Sequence, residues 1–186
     1  MFIQTESTPN PNTMKFLPGQ AVLGDKTAFF TDSENVKASP LASALFVLKD
    51  IRAVFFGGDF ITVTKTENAN WDVLKPQILT TVMEHYQSGL PLMGASKTED
   101  SAANVNYSES DQEIVDQIKE LIETRVRPAV AQDGGDIVFH SYADGIVKLE
   151  MHGACSGCPS STATLKSGIE NMLKHYIPEV VAVEPA

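Results

Sequence analysis

Residues 133–176 read DGGDIVFHSYADGIVKLEMHGACSGCPSSTATLKSGIENMLKHY. Two strand patterns and one helix pattern follow one another in this stretch, with clear punctuation between them. Asp133-Gly134-Gly135-Asp136 has turn chemistry. Residues 137–142 form an apolar run of strand length, and Ala143-Asp144-Gly145 marks a second turn. Over residues 146–152, Val147, Leu149 and Met151 alternate with Lys148, Glu150 and His152, the period of a strand with one buried face. Residues 153–159 break that period and hold both cysteines of the chain, Cys155 and Cys158. A helix is predicted over about 160–175, with Leu165, Ile169, Met172, Leu173 and Tyr176 at helical spacing.

The flanks complete one domain. Upstream, Ile114, Ile118, Leu121, Ile122 and Val126 form an apolar stripe on a helix over about 111–132, which Pro128 should bend or shorten. Downstream, residues 180–183 suit a last strand. The order α-β-β-α-β permits one small sheet with helices on one face. Residues 94–110, GASKTEDSAANVNYSES, are small, polar and acidic without a period, and read as a flexible linker.

Before the linker, residues 1–93 show a second pattern. Strands are predicted at 1–5, 14–17 and 28–31, with the turn-rich run Ser7-Thr8-Pro9-Asn10-Pro11-Asn12 after the first. Ser39-Pro40 suits a helix N-cap followed by proline in the first turn, and opens a helix carrying Leu41, Leu45 and Leu48. Val54-Phe55-Phe56 and residues 60–63 flank Gly57-Gly58 as a hairpin. Residues 71–87 form a second helix, with Val73 or Leu74, Ile78, Val82 and His85 or Tyr86 on its buried side. The fold class expected is α+β: two small α/β sandwich domains, 1–93 and 111–186, joined by the linker 94–110.

Composition narrows the function. The 186 residues carry a formal charge of −10, with a pI near 4.8. Such a surface repels phosphate backbones, so no nucleic-acid partner is expected. No apolar run approaches the ~18 residues that span a bilayer, so no membrane role is expected. The start, MFIQTESTPNPNTMKF, has neither a secretory pattern nor an Arg-rich presequence. A cytoplasmic (bacterial) protein is expected, or a mitochondrial matrix protein after processing.

The chemistry lies in the cysteine loop. Two cysteines three residues apart cannot staple distant parts of a fold, which excludes a secreted disulfide scaffold. In a reducing compartment such a pair is a redox couple or half of a metal site. Gly153 and Gly157 allow positive φ, and Pro159 suits a first helical turn. The helix N-terminus should favour thiolates, and Ser156, Ser160, Ser161 and Thr162 add hydroxyl donors. Iron–sulfur clusters and many structural zinc sites take four thiolates. This chain has two, so a second copy would complete the site in a homo-oligomer, with a dimer the simplest form. A thioredoxin-like pair usually has an aromatic neighbour, absent here, and a c-type haem would need histidine where Pro159 stands.

Residues 131–180, with G-A-C-S-G-C-P-S-S after a D-G-G-D turn, resemble the C-terminal domain of the NifU family. TPNPNTMKFLPG at 8–19 and SPLASALFVLKDIRAVFFGGDFITVTK at 39–65 resemble the N-terminal domain of the Nfu iron–sulfur cluster proteins. The cysteine-rich scaffold and ferredoxin-like domains of the longer NifU proteins are absent from this chain. The resemblance implies a non-enzymatic carrier. It would bind a [4Fe–4S] cluster, or a [2Fe–2S] one, through Cys155 and Cys158 shared between subunits. It would receive the cluster from an upstream assembly scaffold and pass it to apo iron–sulfur proteins in their maturation. The N-terminal domain is then a docking or modulating module. A thiol–disulfide redox protein and a zinc-bridged dimer are the alternatives.

Other residues have simpler roles. His152, three residues before Cys155, is expected to be an exposed polar residue rather than a further ligand. Asp133 and Asp136 are expected to serve the turn and strand start rather than a divalent metal. His85, His140 and His175 are isolated, and Phe55, Phe56 and Phe60 are read as core. Gly57-Gly58 is not a phosphate loop, since no Gly-Lys-Ser/Thr follows, and no Ser/His/Asp set argues for hydrolysis.

Overall fold

The computed structural model describes residues 2–31, 35–94, 107–157 and 159–186. The chain divides into two compact units, Met1–Thr98 and Glu99–Ala186, both mixing helices and sheet as the α+β expectation requires.

The first unit is built on a five-stranded sheet of β1 (Gln4–Ser7), β2 (Thr13–Leu17), β3 (Ala28–Phe30), β4 (Ile51–Phe56) and β5 (Ile61–Lys65), in the order β1-β2-β5-β4-β3. Every neighbouring pair is antiparallel. Register places Phe16 opposite Ile61, Val54 opposite Val63 and Phe56 opposite Ile61. These residues face helices α1 (Pro40–Val47) and α2 (Trp71–Ser88), whose Leu41, Leu45, Leu74, Ile78 and Val82 complete the core. Ser39 caps α1 by accepting the Ala42 N–H at 3.1 Å, with Pro40 in the first turn as its sequence suggests. Of the ambiguous pairs on α2, Leu74 and His85 are buried, while Val73 is exposed.

The first strand lies two to three residues later than periodicity predicts. The turn before β2 sets this: Thr8 Oγ1 donates to the Thr13 carbonyl, and Asn10 Oδ1 accepts the Asn12 N–H. A turn that tight carries strand pairing up to Ser7 opposite Met14.

The second unit begins with α3 (Glu109–Leu121), a π-turn (Ile122–Val126) and α4 (Arg127–Gln132). Ser108 caps α3 by accepting the Asp111 N–H at 3.3 Å, which starts the helix before residue 111. Tyr107 packs on the same unit, its hydroxyl accepting the Tyr142 N–H. Residues 95–106 of the stretch read as linker lie outside the described residues. Pro128 does not shorten the helix. Its ring would collide with the carbonyl four residues back, and the chain widens by one residue instead, Arg127 N–H bonding to the Ile122 carbonyl.

A three-stranded sheet follows, in the order β6-β7-β8: β6 (Gly135–Ala143), β7 (Ile146–Gly153) and β8 (Ala182–Pro185), with α5 (Pro159–Tyr176) between the last two. β6 and β7 are antiparallel; β7 and β8 are parallel. Val115 and Ile118 of α3, Ile169 and Leu173 of α5, and Val147 and Leu149 of β7 share one core, so the helices cover one face of the sheet. The α-β-β-α-β order holds. Tyr176, expected on the buried stripe, is 47% exposed, with the Arg125 guanidinium 5.1 Å from its ring.

Candidate metal centre

The cysteine loop leaves the end of β7 and enters α5. Gly153 and Gly157 have φ of 63° and 80°, the left-handed turns their sequence positions suggest. Hydrogen bonds among the described residues shape the loop. Ala154 N–H donates to the Gly134 carbonyl at 3.1 Å and Ser156 N–H to the Gly153 carbonyl at 3.1 Å. Thr162, in the first turns of α5, donates its hydroxyl to the Cys155 carbonyl at 3.2 Å. The backbone of the loop is thus tied to the α4–β6 turn on one side and to α5 on the other.

Cys155 points inward. It is 6% exposed and packs with the core of its unit. Its sulfur rests on Gly135: a Cβ there would strike Cys155 Sγ, and would also lie 3.0 Å from the His152 carbonyl and 3.1 Å from Cys155 N. Burial pushes the thiol up from 9.0 to about 12, and the carboxylates of Asp133 and Asp136 push the same way. The helix N-terminus was expected to favour thiolate at this loop. For Cys155, desolvation and two nearby anions outweigh it, and the group is a neutral thiol at pH 7. Cys158 lies outside the described residues, as do the side chains of Ser160 and Ser161.

Beside the thiol stands an ionic cluster. Asp136, 3% exposed, accepts from Arg127 Nε and Nη2, both at 2.8 Å, a two-pronged pair. Glu123 holds the other side of the guanidinium, at 2.8 and 3.0 Å from Nη1. The hydrogen bond to Asp136 is the largest of the influences that raise Arg127 above its already high ordinary pKa. Asp136 therefore has a structural partner, in keeping with the strand-start role expected of it, and Asp133 is exposed at the end of α4. His152 stands opposite Asp136 in the ladder. It is largely buried rather than exposed as expected, with Nε2 3.8 Å from Glu150 Oε2, and burial holds its imidazole below the usual range.

Sequence patterning does not single out Arg127. The available signal was a cation beside a helix proline, one turn after Glu123. The sequence marks Gly135 only as a turn residue, yet its missing side chain makes the seat for Cys155.

Among the described residues, no three His, Cys, Asp or Glu side chains gather in a way that would hold a metal ion. The described part of the loop contributes one soft sulfur donor. That suits a thiophilic metal or cluster completed by further thiolates better than a hard divalent cation. A thiol pushed to about 12 is also a poor starting nucleophile for disulfide exchange.

Fold and loop together define a two-unit chain whose second unit carries, between a strand and a helix, the segment of sequence that holds both cysteines. Residues 3–89 match the family described as scaffold protein Nfu/NifU N terminal, and residues 118–184 match the NifU-like domain. The chain is 51% identical over 185 residues to human "NFU1 iron-sulfur cluster scaffold homolog, mitochondrial", covering 99% of this chain and 71% of that protein. It is 52% identical over 186 residues to Arabidopsis thaliana "NifU-like protein 5, mitochondrial", covering 99% and 67%. The Drosophila persimilis protein bearing the NFU1 name is 50% identical, with 99% and 64% covered. The chain belongs to the Nfu family. It spans less than two thirds of the length of several of these relatives, 64% and 61% for the D. persimilis and D. virilis proteins. A solution NMR structure of a NifU-like protein from Saccharomyces cerevisiae aligns at 26% identity and a TM-score of 0.47, covering 52% of this chain and 87% of that one.

Proposed function

We propose that this chain is an iron–sulfur cluster carrier: Cys155 and Cys158 from two copies hold a [4Fe–4S] cluster, which is passed to apo iron–sulfur proteins. The observation that carries this is the cysteine loop between β7 and α5 of the NifU-like unit. The relatives' names, iron-sulfur cluster scaffold homologs, support it. Their designation as mitochondrial favours the matrix over the cytoplasm. The first unit serves as a docking or modulating module, and the role is transfer rather than catalysis.

The cluster is cargo, and the residues of this chain set the terms of its arrival. Cys155 must lose its proton and leave the Gly135 seat, because thiolate rather than thiol is the ligand. The loop is built to permit this. Gly153 and Gly157, both in the left-handed region, sit at the two ends of the Cys155 segment and give it hinges. Anaerobic reconstitution with iron and sulfide tests the reading. The expected product is a brown dimer with about four irons, ligated by thiolates. Cys155→Ala and Cys158→Ala should each abolish the colour. A colourless protein, or colour that survives both substitutions, overturns it. One zinc per dimer that resists transfer would instead establish the structural zinc alternative.

A further inference from the structure

We propose that Arg127, acting through Asp136, is a positioning residue for Cys155: their two-pronged pair fixes the start of β6 as the seat on which the thiol rests. The contacts form an unbroken path. Arg127 grips both carboxylate oxygens of Asp136 at 2.8 Å. Asp136 Oδ1 also accepts the Ile137 N–H at 2.8 Å, so the carboxylate stiffens the backbone of its own strand. Asp136 pairs with His152 and Gly135 with Gly153, joining the strand start to the end of β7 where the loop departs. Gly135 then meets Cys155 Sγ, and the preceding Gly134 carbonyl takes the Ala154 N–H.

The π-turn belongs to the same device. It ends at Val126, and its wide bond closes on Arg127 itself, from N–H to the Ile122 carbonyl. Glu123 inside the turn binds the outer edge of the guanidinium. Single π-turns within α-helices are frequent at functional sites. Here the extra residue accommodates Pro128 and leaves the Arg127 side chain bridging Glu123 and Asp136.

This deepens the carrier reading but is measured without iron, so a failed reconstitution would sink that reading and leave this test standing. The chain has two cysteines; in a Cys158→Ser background only Cys155 remains to react. Reduced full-length protein is treated with iodoacetamide under native conditions and modification is followed by mass spectrometry. Arg127→Ala should raise the Cys155 rate about tenfold or more, because a buried carboxylate that has lost its guanidinium favours local opening. Arg127→Lys keeps the charge but not the two-pronged grip, and should fall between Arg127→Ala and the parent. Val115→Ala on α3, a cavity in the same core, should leave the rate at the parent value where the unit is still folded by circular dichroism. An unchanged rate in Arg127→Ala overturns the proposal, as does an equal rise in Val115→Ala at matched stability. If Arg127→Ala does not fold, Arg127→Lys decides: a parent-like rate overturns the proposal and a raised one supports it.

Discussion

The two units solve the same problem of burying a charge beside a sheet, and they solve it differently. In the first, Lys65 lies at the end of β5, buried, with its ammonium on neutral acceptors: Asn12 Oδ1 at 3.0 Å and the Thr66 carbonyl at 3.3 Å. The Trp71 ring lies 5.9 Å away. In the second, Asp136 is buried against the full charge of Arg127. A cation on carbonyls can keep part of its hydration and tolerates small shifts. A carboxylate gripped by a guanidinium at two points does not. The rigid solution stands beside the cysteine loop, and the tolerant one in a unit where no cysteine occurs.

The largest test of this contrast removes the cations. Arg127→Ala takes the guanidinium away from a buried carboxylate and should cost about 3–5 kcal/mol. Lys65→Met removes one ammonium and frees two neutral acceptors that water can reach through its exposed neighbours, for about 1 kcal/mol. Denaturant midpoints at constant slope measure both. Equal costs would break the comparison.

A second pair sharpens it. Both units contain a glycine whose side-chain space is already taken. At Gly57 a Cβ would enter the Phe60 ring, which lies over the hairpin turn; at Gly135 it would enter Cys155 Sγ and approach two backbone atoms. Overpacking either should cost about 1–3 kcal/mol. The consequences for the thiol should separate. Gly135→Ala denies Cys155 its seat and should raise its iodoacetamide rate in the Cys158→Ser background, while Gly57→Ala should leave that rate at the parent value. An equal rise in both variants at matched stability would mean that the seat is nothing special.

The same two glycines show where sequence reading succeeds and stops. Gly57-Gly58 as a hairpin turn, the strand alternation of residues 146–152 and the cap at Ser39 are all encoded by neighbours within a few residues. The left-handed turns at Gly153 and Gly157 belong with them. The Gly135 seat and the Arg127–Asp136 pair join a helix to a strand across a turn, and no periodicity reports such a contact. Pro128 announced a disturbance in the helix, but whether a proline kinks, ends or widens a helix is decided by what the following residues must reach. Sequence patterning misplaces His152 and Tyr176 for a related reason. Alternation gives the face of a residue, not how much its neighbours cover it, and on these faces one cover is present and the other is not.

The inward thiol itself supplies the smallest effect and the last point of contrast. Cys155 has its folded pKa raised from 9.0 to about 12, so between those values the folded chain keeps a proton that the unfolded chain has lost. The stability this contributes is full below pH 9 and declines as pH rises toward 12. The slope approaches about 1.4 kcal/mol per pH unit at its steepest, so the loss between pH 9 and 10 is about 1 kcal/mol. Lysines and tyrosines titrate in the same window throughout the chain, so the informative quantity is the difference between the parent and Cys155→Ala. That difference should shrink from pH 8 to pH 10 when followed by a probe within the second unit. Trp71, the single tryptophan, lies in the first unit and its fluorescence should report no such pH-dependent difference. A difference that stays constant with pH would mean that the sulfur meets solvent in the cluster-free chain. Loading would then need no withdrawal of Cys155 from its seat.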